Sequence, residues 1–380
     1  MLNSKEKEQY SRQIRLPELG EQGQMRLKEA KVLVIGCGGL GSPLLHYIAS
    51  AGIMYIGLVD FDKIEIHNLH RQILYTHHDL GKLKVEVAGE KLRAINPKAN
   101  IQVFNTKLTS SNALEIIKDF DIIADGTDNF PTRYLINDAC VKLGKINVFA
   151  SIHRFEGQLC VFNLKDVHGK YGANYRDLFP IPPQADTIPN CEEAGVIGAV
   201  AGVLGSLQAN EVIKIASGIG SELSGKLVCI NLDDLSMRSI KFSKKEDNVI
   251  RTENAENITL IDYDAFCGIN NTESIKEITV QELAIKIKAK EEFQIIDVRK
   301  PEEYTEYNIG AEHIPAPTVY QNLEKLSDDE MVILHCKFGA RSAAVIQMLQ
   351  KNFDYENLYN LKGGIVAWKE AFGDKTVDDF

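Results

Sequence analysis

A glycine-rich segment close to the N-terminus, Gly36-Cys37-Gly38-Gly39-Leu40-Gly41, restricts this chain to few folds. It follows the apolar run Lys31–Ile35, which is typical of a buried parallel strand, and it precedes a helical pattern from Ser42 to Ala51. Glycines at such a turn let the backbone approach a phosphate, which the free N–H groups of the helix can bind. Strand and helix patterns then alternate as far as Phe242, so the sequence predicts a doubly wound α/β sheet.

A carboxylate ends the second predicted strand, where an acidic group can accept hydrogen bonds from a ribose. This residue is Asp60. Together with the glycine-rich segment, it would by itself favour a Rossmann-like, NAD-dependent oxidoreductase.

Charged and amide side chains farther along favour a triphosphate instead. They are Asn68, Arg71, Gln72 and Lys84, and Asp128 follows in the segment Asp125-Gly-Thr-Asp-Asn129. A triphosphate needs cations to offset its charge and a carboxylate to hold Mg²⁺, whereas NAD carries only a pyrophosphate and needs no metal. These charges therefore suit ATP with Mg²⁺, bound near the glycines Gly36, Gly38, Gly39 and Gly41 and the residues that follow them, Gln72 included.

These motifs, preceded by Ser11-Arg12-Gln13, resemble in their order the MoeB/ThiF adenylyltransferases, which are similar to the adenylation half of ubiquitin-activating enzymes. The resemblance covers roughly residues 5 to 242. It implies that ATP adenylates the C-terminal glycine of a ubiquitin-like sulfur carrier that ends in Gly-Gly. It also implies that Asp60 binds the ribose, that Asn68, Arg71 and Lys84 bind the phosphates, that Asp128 holds Mg²⁺, and that Arg12 reaches across a homodimer interface.

Two cysteine positions follow from the same resemblance. Cys191 matches a cysteine that forms a thioester or disulfide with the activated carrier, although a buried packing role is equally consistent with the sequence. Relatives that bind structural zinc carry two CxxC pairs, where this chain has Asn174-Tyr-Arg-Asp177 and Asp264-Ala-Phe-Cys267. One thiolate out of four makes a poor Zn²⁺ site, so we expect no structural zinc.

A second, smaller α/β domain follows a polar stretch. Residues 243–275 are rich in Lys, Glu, Asp and Asn and predict a linker between domains spanning 1–242 and 276–380. In the second domain, Cys336 follows a strand pattern and precedes a helix that begins near Ser342, so backbone N–H groups converge on the sulfur. Phosphate-ester hydrolysis and persulfide transfer both use such a loop. The spacing to Arg341 is one residue shorter than in the cysteine-phosphatase signature, which favours the persulfide.

The second domain resembles rhodanese over about residues 276 to 370, through Asp297-Val-Arg299, Gly310-Ala-Glu-His-Ile-Pro315, Cys336-Lys-Phe-Gly-Ala-Arg341 and Leu361-Lys-Gly-Gly364. The resemblance implies a persulfide on Cys336, with Asp297 and Arg299 organising the loop from its flank. The persulfide loop itself comprises Lys337, Phe338, Gly339, Ala340, Arg341 and Ser342. An inactive rhodanese module remains an alternative, but such modules usually lack the cysteine.

The joint prediction is an adenylyltransferase with sulfurtransferase activity, with Cys336, Cys191, Arg12, Arg71 and Asp128 as catalytic candidates. The net charge of −10 disfavours nucleic acid and anionic membrane as partners, and a polar N-terminus with scattered cysteines favours a cytoplasmic protein. We expect a homodimer that accepts sulfur from a donor such as a cysteine desulfurase. A MoaD-type carrier for molybdopterin is preferred. A ThiS-type carrier, an oxidoreductase with an appended rhodanese and a non-catalytic binding module remain the alternatives.

Overall fold

The computed structural model describes residues 1–183, 195–221, 223–267, 275–353 and 355–380. It divides into two compact units, Met1–Asn270 and Asn271–Phe380. Each unit is built on its own sheet with helices on both faces, so the expected α/β class is confirmed for both.

The sheet of the first unit contains eight strands. They are β1 (Lys31–Ile35), β2 (Tyr55–Asp60), β3 (Asn100–Asn105), β4 (Ile122–Asp125), β5 (Ile146–His153), β6 (Glu156–Phe162), β7 (Lys226–Asn231) and β8 (Ser236–Lys241). Their spatial order is β3-β2-β1-β4-β5-β6-β7-β8. Neighbouring strands are parallel from β3 through β2, β1 and β4 to β5, and antiparallel from β5 through β6 and β7 to β8. The carboxyl ends of β1, β2 and β4 therefore lie together at one edge of the sheet.

Ten α-helices belong to the described part of this unit. They are α1 (Ser4–Gln9), α2 (Ser11–Ile14), α3 (Gly20–Glu29), α4 (Gly41–Ser50), α5 (Lys84–Ile95), α6 (Ala113–Ile117), α7 (Phe130–Leu143), α8 (Tyr175–Leu178), α9 (Gly198–Ser217) and α10 (Tyr263–Phe266). Alternation along β1 shows how both faces of the sheet are covered. Val32 and Val34 belong to one buried cluster, whereas Leu33 and Ile35 belong to another.

Helix α9 is the most apolar long segment of the chain, and it is an internal helix. Gly205 lies so close to α4 that a Cβ there would collide with the Leu40 carbonyl oxygen. Gln208 Nε2 donates to the carbonyl oxygens of Asp125 and Val148, each over 2.8 Å, which ties α9 to β4 and β5. Within the described ranges, no helix combines the length and apolarity needed to cross a membrane.

The second unit has a five-stranded parallel sheet in the order β11-β10-β12-β13-β9. Its strands are β9 (Lys276–Ile278), β10 (Phe293–Asp297), β11 (Glu312–His313), β12 (Met331–His335) and β13 (Leu358–Leu361), and its helices are α11 (Val280–Ala289), α12 (Pro301–Glu306), α13 (Ala340–Phe353) and α14 (Gly364–Phe372). Ile296 and Leu334 face one buried cluster, and Ile295 and Ile333 face the other. Strands β10 and β12 end side by side, with Asp297 in register with His335.

The polar stretch 243–275, which the sequence predicts as a linker, packs against the first unit over part of its length. Lys142 Nζ on α7 donates to the carbonyl oxygens of Ala255 and Ile258, over 3.2 and 2.7 Å. Tyr263 and Cys267 are buried in the core of the first unit. The part of the stretch up to Cys267 is therefore packed, because a few apolar side chains within a polar composition suffice to anchor it.

Candidate functional site

The glycine-rich turn after β1 packs directly against the turn after β4. The Gly36 N–H donates to the Val59 carbonyl oxygen over 2.9 Å, and Gly36 has a φ of +94°. A Cβ on Gly36 would approach the Gly126 carbonyl oxygen to 2.8 Å, and one on Gly41 would collide with the Gly36 carbonyl oxygen. Only glycine fits both positions, so the close approach of the two turns depends on this sequence.

Asp60, at the end of β2, braces the same turn. Its Oδ2 accepts the Cys37 N–H over 2.8 Å, and its Oδ1 accepts the Asp62 N–H over 2.9 Å. Burial raises the pKa of Asp60, whereas the nearby charge of Lys84 opposes this shift. Lys84 Nζ lies 2.8 Å from Asp62 Oδ2, and its side chain is only 7% exposed. The structure thus places Asp60 and Lys84 beside the glycine-rich turn.

Arg71 and Gln72 cover this turn from the segment after β2. A Cβ on Gly39 would lie 3.7 Å from Arg71 Cγ, and a Cβ on Gly38 would lie 3.6 Å from Gln72 Nε2. The Arg71 and Gln72 N–H groups both donate to the Asn68 carbonyl oxygen, so Asn68 shapes the segment. Gln72 Oε1 is buried without a hydrogen-bond partner. An unpaired buried oxygen next to a glycine-rich turn is what a bound polar ligand would satisfy.

Asp128 lies just beyond β4, in the turn that contacts Gly36. It is exposed, whereas Asp125 at the end of β4 is fully buried. Asp125 Oδ1 accepts hydrogen bonds from the N–H and hydroxyl of Thr127, over 3.0 and 2.6 Å. Burial raises the pKa of Asp125. Asp125 therefore shapes the turn, and Asp128 presents a solvent-accessible carboxylate there.

Tyr75 is a residue of this site that the sequence interpretation missed. It is buried, and its hydroxyl donates to the Cys37 carbonyl oxygen over 2.8 Å and approaches the Lys84 carbonyl oxygen at 3.3 Å. It links the glycine-rich turn to the start of α5, where Lys84 lies. A tyrosine in an apolar stretch carries no motif, so no sequence signal could have identified it.

The predicted residue Arg12 belongs to α2, which precedes the first strand. Arg12 is exposed on α2, next to Gln13, whose Nε2 donates to the Gln24 Oε1 and the Ala51 carbonyl oxygen. Cys191 lies outside the described residues. The cluster that the structure brings together consists of the glycines with Asp60, Asn68, Arg71, Gln72, Lys84 and Asp128.

The loop after β12 forms a second candidate site, in the second unit. The Gly339 N–H donates to Cys336 Sγ over 3.2 Å, and Gly339 has a φ of +95°. Ser342 closes the loop, because its hydroxyl donates to Asn360 Oδ1 over 2.7 Å. Cys336 is buried, whereas Lys337 and Phe338 are exposed, and Ala340 is exposed at the start of α13. The loop therefore buries the cysteine and directs the Gly339 N–H at its sulfur.

A buried ion pair supports the loop from the neighbouring strand end. Arg299 contacts Asp297 through two nitrogens, with Nη2 2.6 Å from Oδ2, and both residues are buried. His335 Nε2 lies 3.8 Å from the same Oδ2, and neither nitrogen of its ring has a hydrogen-bond partner. Burial lowers the pKa of His335 to about 4, so its ring is neutral at physiological pH. Asp297 and Arg299 thus lie directly beside the strand end that carries Cys336.

Hydrogen bonds surround the segment Asn174-Tyr-Arg-Asp177, the first of the two places compared with CxxC pairs above. Asn248 Nδ2 donates to Asp177 Oδ1 over 2.9 Å, and Asn174 Nδ2 donates to the Ile250 carbonyl oxygen over 2.8 Å. Arg176 donates twice to Asp138, which also accepts the Tyr263 hydroxyl over 2.7 Å. These contacts join the α8 segment to the chain after β8. Among the described residues, no group of three or more His, Cys, Asp or Glu side chains could hold a metal ion.

We expect Arg176→Met to lower the free energy of unfolding by about 3 kcal/mol, because it leaves the Asp138 carboxylate buried without its cation. The Arg176 guanidinium also lies 4.5 Å from the centre of the Phe266 ring, a contact that methionine loses. Thermal denaturation measures the change, with the exposed Arg238 as the control substitution Arg238→Met.

Chelator should leave the Tm of the unmodified protein unchanged. One tightly held zinc per chain would contradict the prediction that this protein has no structural zinc.

Comparisons with known proteins match a family to each of the two units. The ThiF family matches residues 10–251, and the rhodanese-like domain matches residues 279–371. The chain is 40% identical to the probable adenylyltransferase/sulfurtransferase MoeZ of Mycobacterium tuberculosis, over 97% of this chain and 94% of that protein. It is 45% identical to the sulfur carrier protein adenylyltransferase of Thermus thermophilus, over 70% of this chain and 97% of that protein. A crystal structure of Escherichia coli MccB with AMPCPP and MccA aligns with a TM-score of 0.57 and 25% identity, over 65% of this chain and 75% of that one.

Proposed function

We propose a two-step reaction on a ubiquitin-like sulfur carrier. The chain belongs to the ThiF family, carries a rhodanese-like domain, and is an adenylyltransferase with sulfurtransferase activity. In the first step ATP adenylates the C-terminal glycine of the carrier. In the second, a persulfide on Cys336 converts the activated glycine into a thiocarboxylate.

The residues around the glycine-rich turn fit ATP. The turn has no side chains that would keep its backbone from a phosphate, Asp60 would offer its carboxylate to the ribose, and a polar group of the ligand could satisfy the unpaired Gln72 Oε1. Arg71 and Lys84 supply the positive charge that a triphosphate needs. Asp128 is the carboxylate that would hold Mg²⁺, which when bound neutralises phosphate charge.

The first step forms one bond to phosphorus and breaks another. A carboxylate oxygen of the terminal glycine attacks the α-phosphorus, and pyrophosphate leaves. Negative charge builds up on both sides of that phosphorus, and Arg71 and Lys84 would stabilise it, each well-placed donor contributing roughly 3 kcal/mol. In a homodimer, Arg12 of the second copy would add a further cation from outside the cluster.

The second step uses the loop after β12. A Cys336 persulfide attacks the acyl carbon, a carbon–sulfur bond forms, and AMP leaves with the electron pair of the broken carbon–oxygen bond. The product is an acyl disulfide on Cys336. A thiolate then attacks the Cys336 sulfur, which releases the carrier thiocarboxylate and leaves a disulfide on Cys336. Cys191 is the candidate for that thiolate within the chain, and an external thiol is the alternative.

We propose a MoaD-type carrier in molybdopterin synthesis as the first choice, with a ThiS-type carrier as the alternative, and a cysteine desulfurase as the sulfur donor. The proposed setting is a cytoplasmic homodimer without nucleic-acid or membrane partners. The sulfur carrier in the name of the Thermus thermophilus relative supports the carrier class.

One observation carries the proposal: Arg71, Gln72, Lys84 and the Asp128 turn all gather at a glycine-rich turn, in a chain that also carries a cysteine loop. We expect ATP–pyrophosphate exchange that depends on a carrier ending in Gly-Gly and disappears when the terminal glycine is deleted. An oxidoreductase would change the absorbance of a reduced nicotinamide cofactor without ATP. A non-catalytic binding module would bind ATP without exchange, and either result would contradict the proposal.

A further inference from the structure

An ion pair connects the cysteine loop to helix α12. Arg341 Nη1 donates to Glu303 Oε2 over 2.8 Å, and the same oxygen accepts the Lys300 N–H over 3.1 Å. Partial burial opposes ionisation of Glu303, but the hydrogen bond from Arg341 lowers the pKa of this carboxyl, so it is charged at neutral pH. Glu303 therefore caps α12 and holds the arginine of the loop at once.

The charges around Cys336 show why the Glu303–Arg341 ion pair matters for the sulfur. From the same loop, Arg341 interacts electrostatically with Cys336, and the exposed Lys337 follows Cys336 directly in the chain. From β10, Asp297 and Arg299 neutralise each other in a buried pair, and His335 at the end of β12 is neutral. The loop thus carries excess positive charge beside the sulfur, and Glu303 is the anion that pairs with part of it.

We propose that Glu303 is a specificity-determining residue of the sulfur site: by holding Arg341, it limits how strongly the loop attracts anionic sulfur donors to Cys336. This inference deepens the proposed sulfur-transfer function and rests on it. A strongly anionic donor binds more tightly when Arg341 is free of its ion pair, whereas the affinity of a neutral or protein-bound donor changes little. The Glu303–Arg341 pair therefore biases the loop against small anions and towards donors of low charge.

Thiosulfate serves as the anionic probe, and its transfer of sulfur to Cys336 conserves atoms and charge. The Cys336 thiolate attacks the sulfane sulfur, a new sulfur–sulfur bond forms on Cys336, and the sulfur–sulfur bond of thiosulfate breaks. Sulfite leaves with that electron pair, and the negative charge stays on the terminal persulfide sulfur. No oxidant, reductant or proton is consumed.

The test is Glu303→Gln, with the neighbouring exposed residue as the matched control Glu302→Gln. Glutamine keeps the hydrogen-bond acceptor for the Lys300 N–H and removes only the charge. We expect the KM for thiosulfate to fall about threefold to fivefold in Glu303→Gln, because a partly exposed ion pair exerts an effect of that size. The control should stay within about twofold of the unmodified protein.

A second readout separates charge from structure. Iodoacetate and iodoacetamide alkylate the same sulfur but differ in charge, so the ratio of their rates at Cys336, measured by peptide mass spectrometry, reports the local potential. This ratio should rise about threefold in Glu303→Gln and remain unchanged in Glu302→Gln. In an Arg341→Gln background the same change at position 303 should have no effect, because Glu303 acts through Arg341.

The outcomes are distinguishable from those of the proposed function. An unchanged alkylation ratio in Glu303→Gln, or a change that persists without Arg341, overturns the role of Glu303 while sulfur transfer stands. If no donor forms a persulfide on Cys336 of the unmodified protein, the sulfur-transfer step fails, whatever the alkylation ratio shows.

Discussion

Cys336→Ala is expected to abolish carrier thiocarboxylate formation, by at least about a thousandfold, and to leave ATP–pyrophosphate exchange within about twofold. Cys336 is the residue proposed to carry the sulfur nucleophile of the second step, and Gly339 donates its N–H to Cys336 Sγ. The cluster proposed to carry out adenylation lies in the other unit, between Met1 and Asn270, and contains none of the loop residues. The substitution therefore removes a reacting atom and leaves the nucleotide site intact.

Mass spectrometry of the carrier measures this result, since a thiocarboxylate replaces one oxygen of the terminal carboxyl group with sulfur. The matched control is Cys229→Ser, which removes a half-buried thiol on β7 and should leave both activities unchanged. Equal loss of exchange and of thiocarboxylate in Cys336→Ala would contradict the division of labour between the two units. Full retention of thiocarboxylate formation would remove Cys336 from the reaction.

Much of the fold could be predicted from local sequence. The runs Lys31–Ile35 and Met331–His335 are short, apolar and followed by a turn, and both form buried parallel strands. Since parallel strands end at a common edge, the residues after β1, β2 and β4 had to converge. The glycine-rich turn and Asp60 were found for this reason.

Contacts between distant parts of the chain were not predictable in the same way. Tyr75 joins Cys37 to Lys84, and Glu303 joins the start of α12 to Arg341. The spacing of residues along the sequence indicates neither of these contacts. The composition of residues 243–275 suggested a linker because polar residues predominate. Its buried members, such as Tyr263, act through tertiary contacts that composition does not reveal.

The junction around α8 shows the same limit. The side chains that join α8 to the chain after β8 could not be named from the sequence. Asp138, which receives both Arg176 and the Tyr263 hydroxyl, lies on α7 and belongs to neither segment. Its role depends on the packing of three elements, so only the structure reveals it.

Asp128→Ala is expected to reduce ATP–pyrophosphate exchange by about a thousandfold, because it removes the exposed carboxylate proposed to hold Mg²⁺ at the nucleotide. The fold should tolerate the change. Asp125, not Asp128, is the buried residue that hydrogen-bonds Thr127 and shapes the turn. The Tm of Asp128→Ala should therefore remain within a few degrees of that of the unmodified protein.

The matched control is Asp119→Ala, an exposed aspartate just before the opposite end of β4. It changes the net charge of the protein by the same amount, so a loss of exchange confined to Asp128→Ala cannot come from long-range electrostatics. Sulfur loading on Cys336 should be unaffected in both variants, because that site lies in the second unit. Normal exchange in Asp128→Ala would contradict a role of Asp128 in holding the metal. An equal loss in Asp119→Ala would instead attribute the effect to net charge.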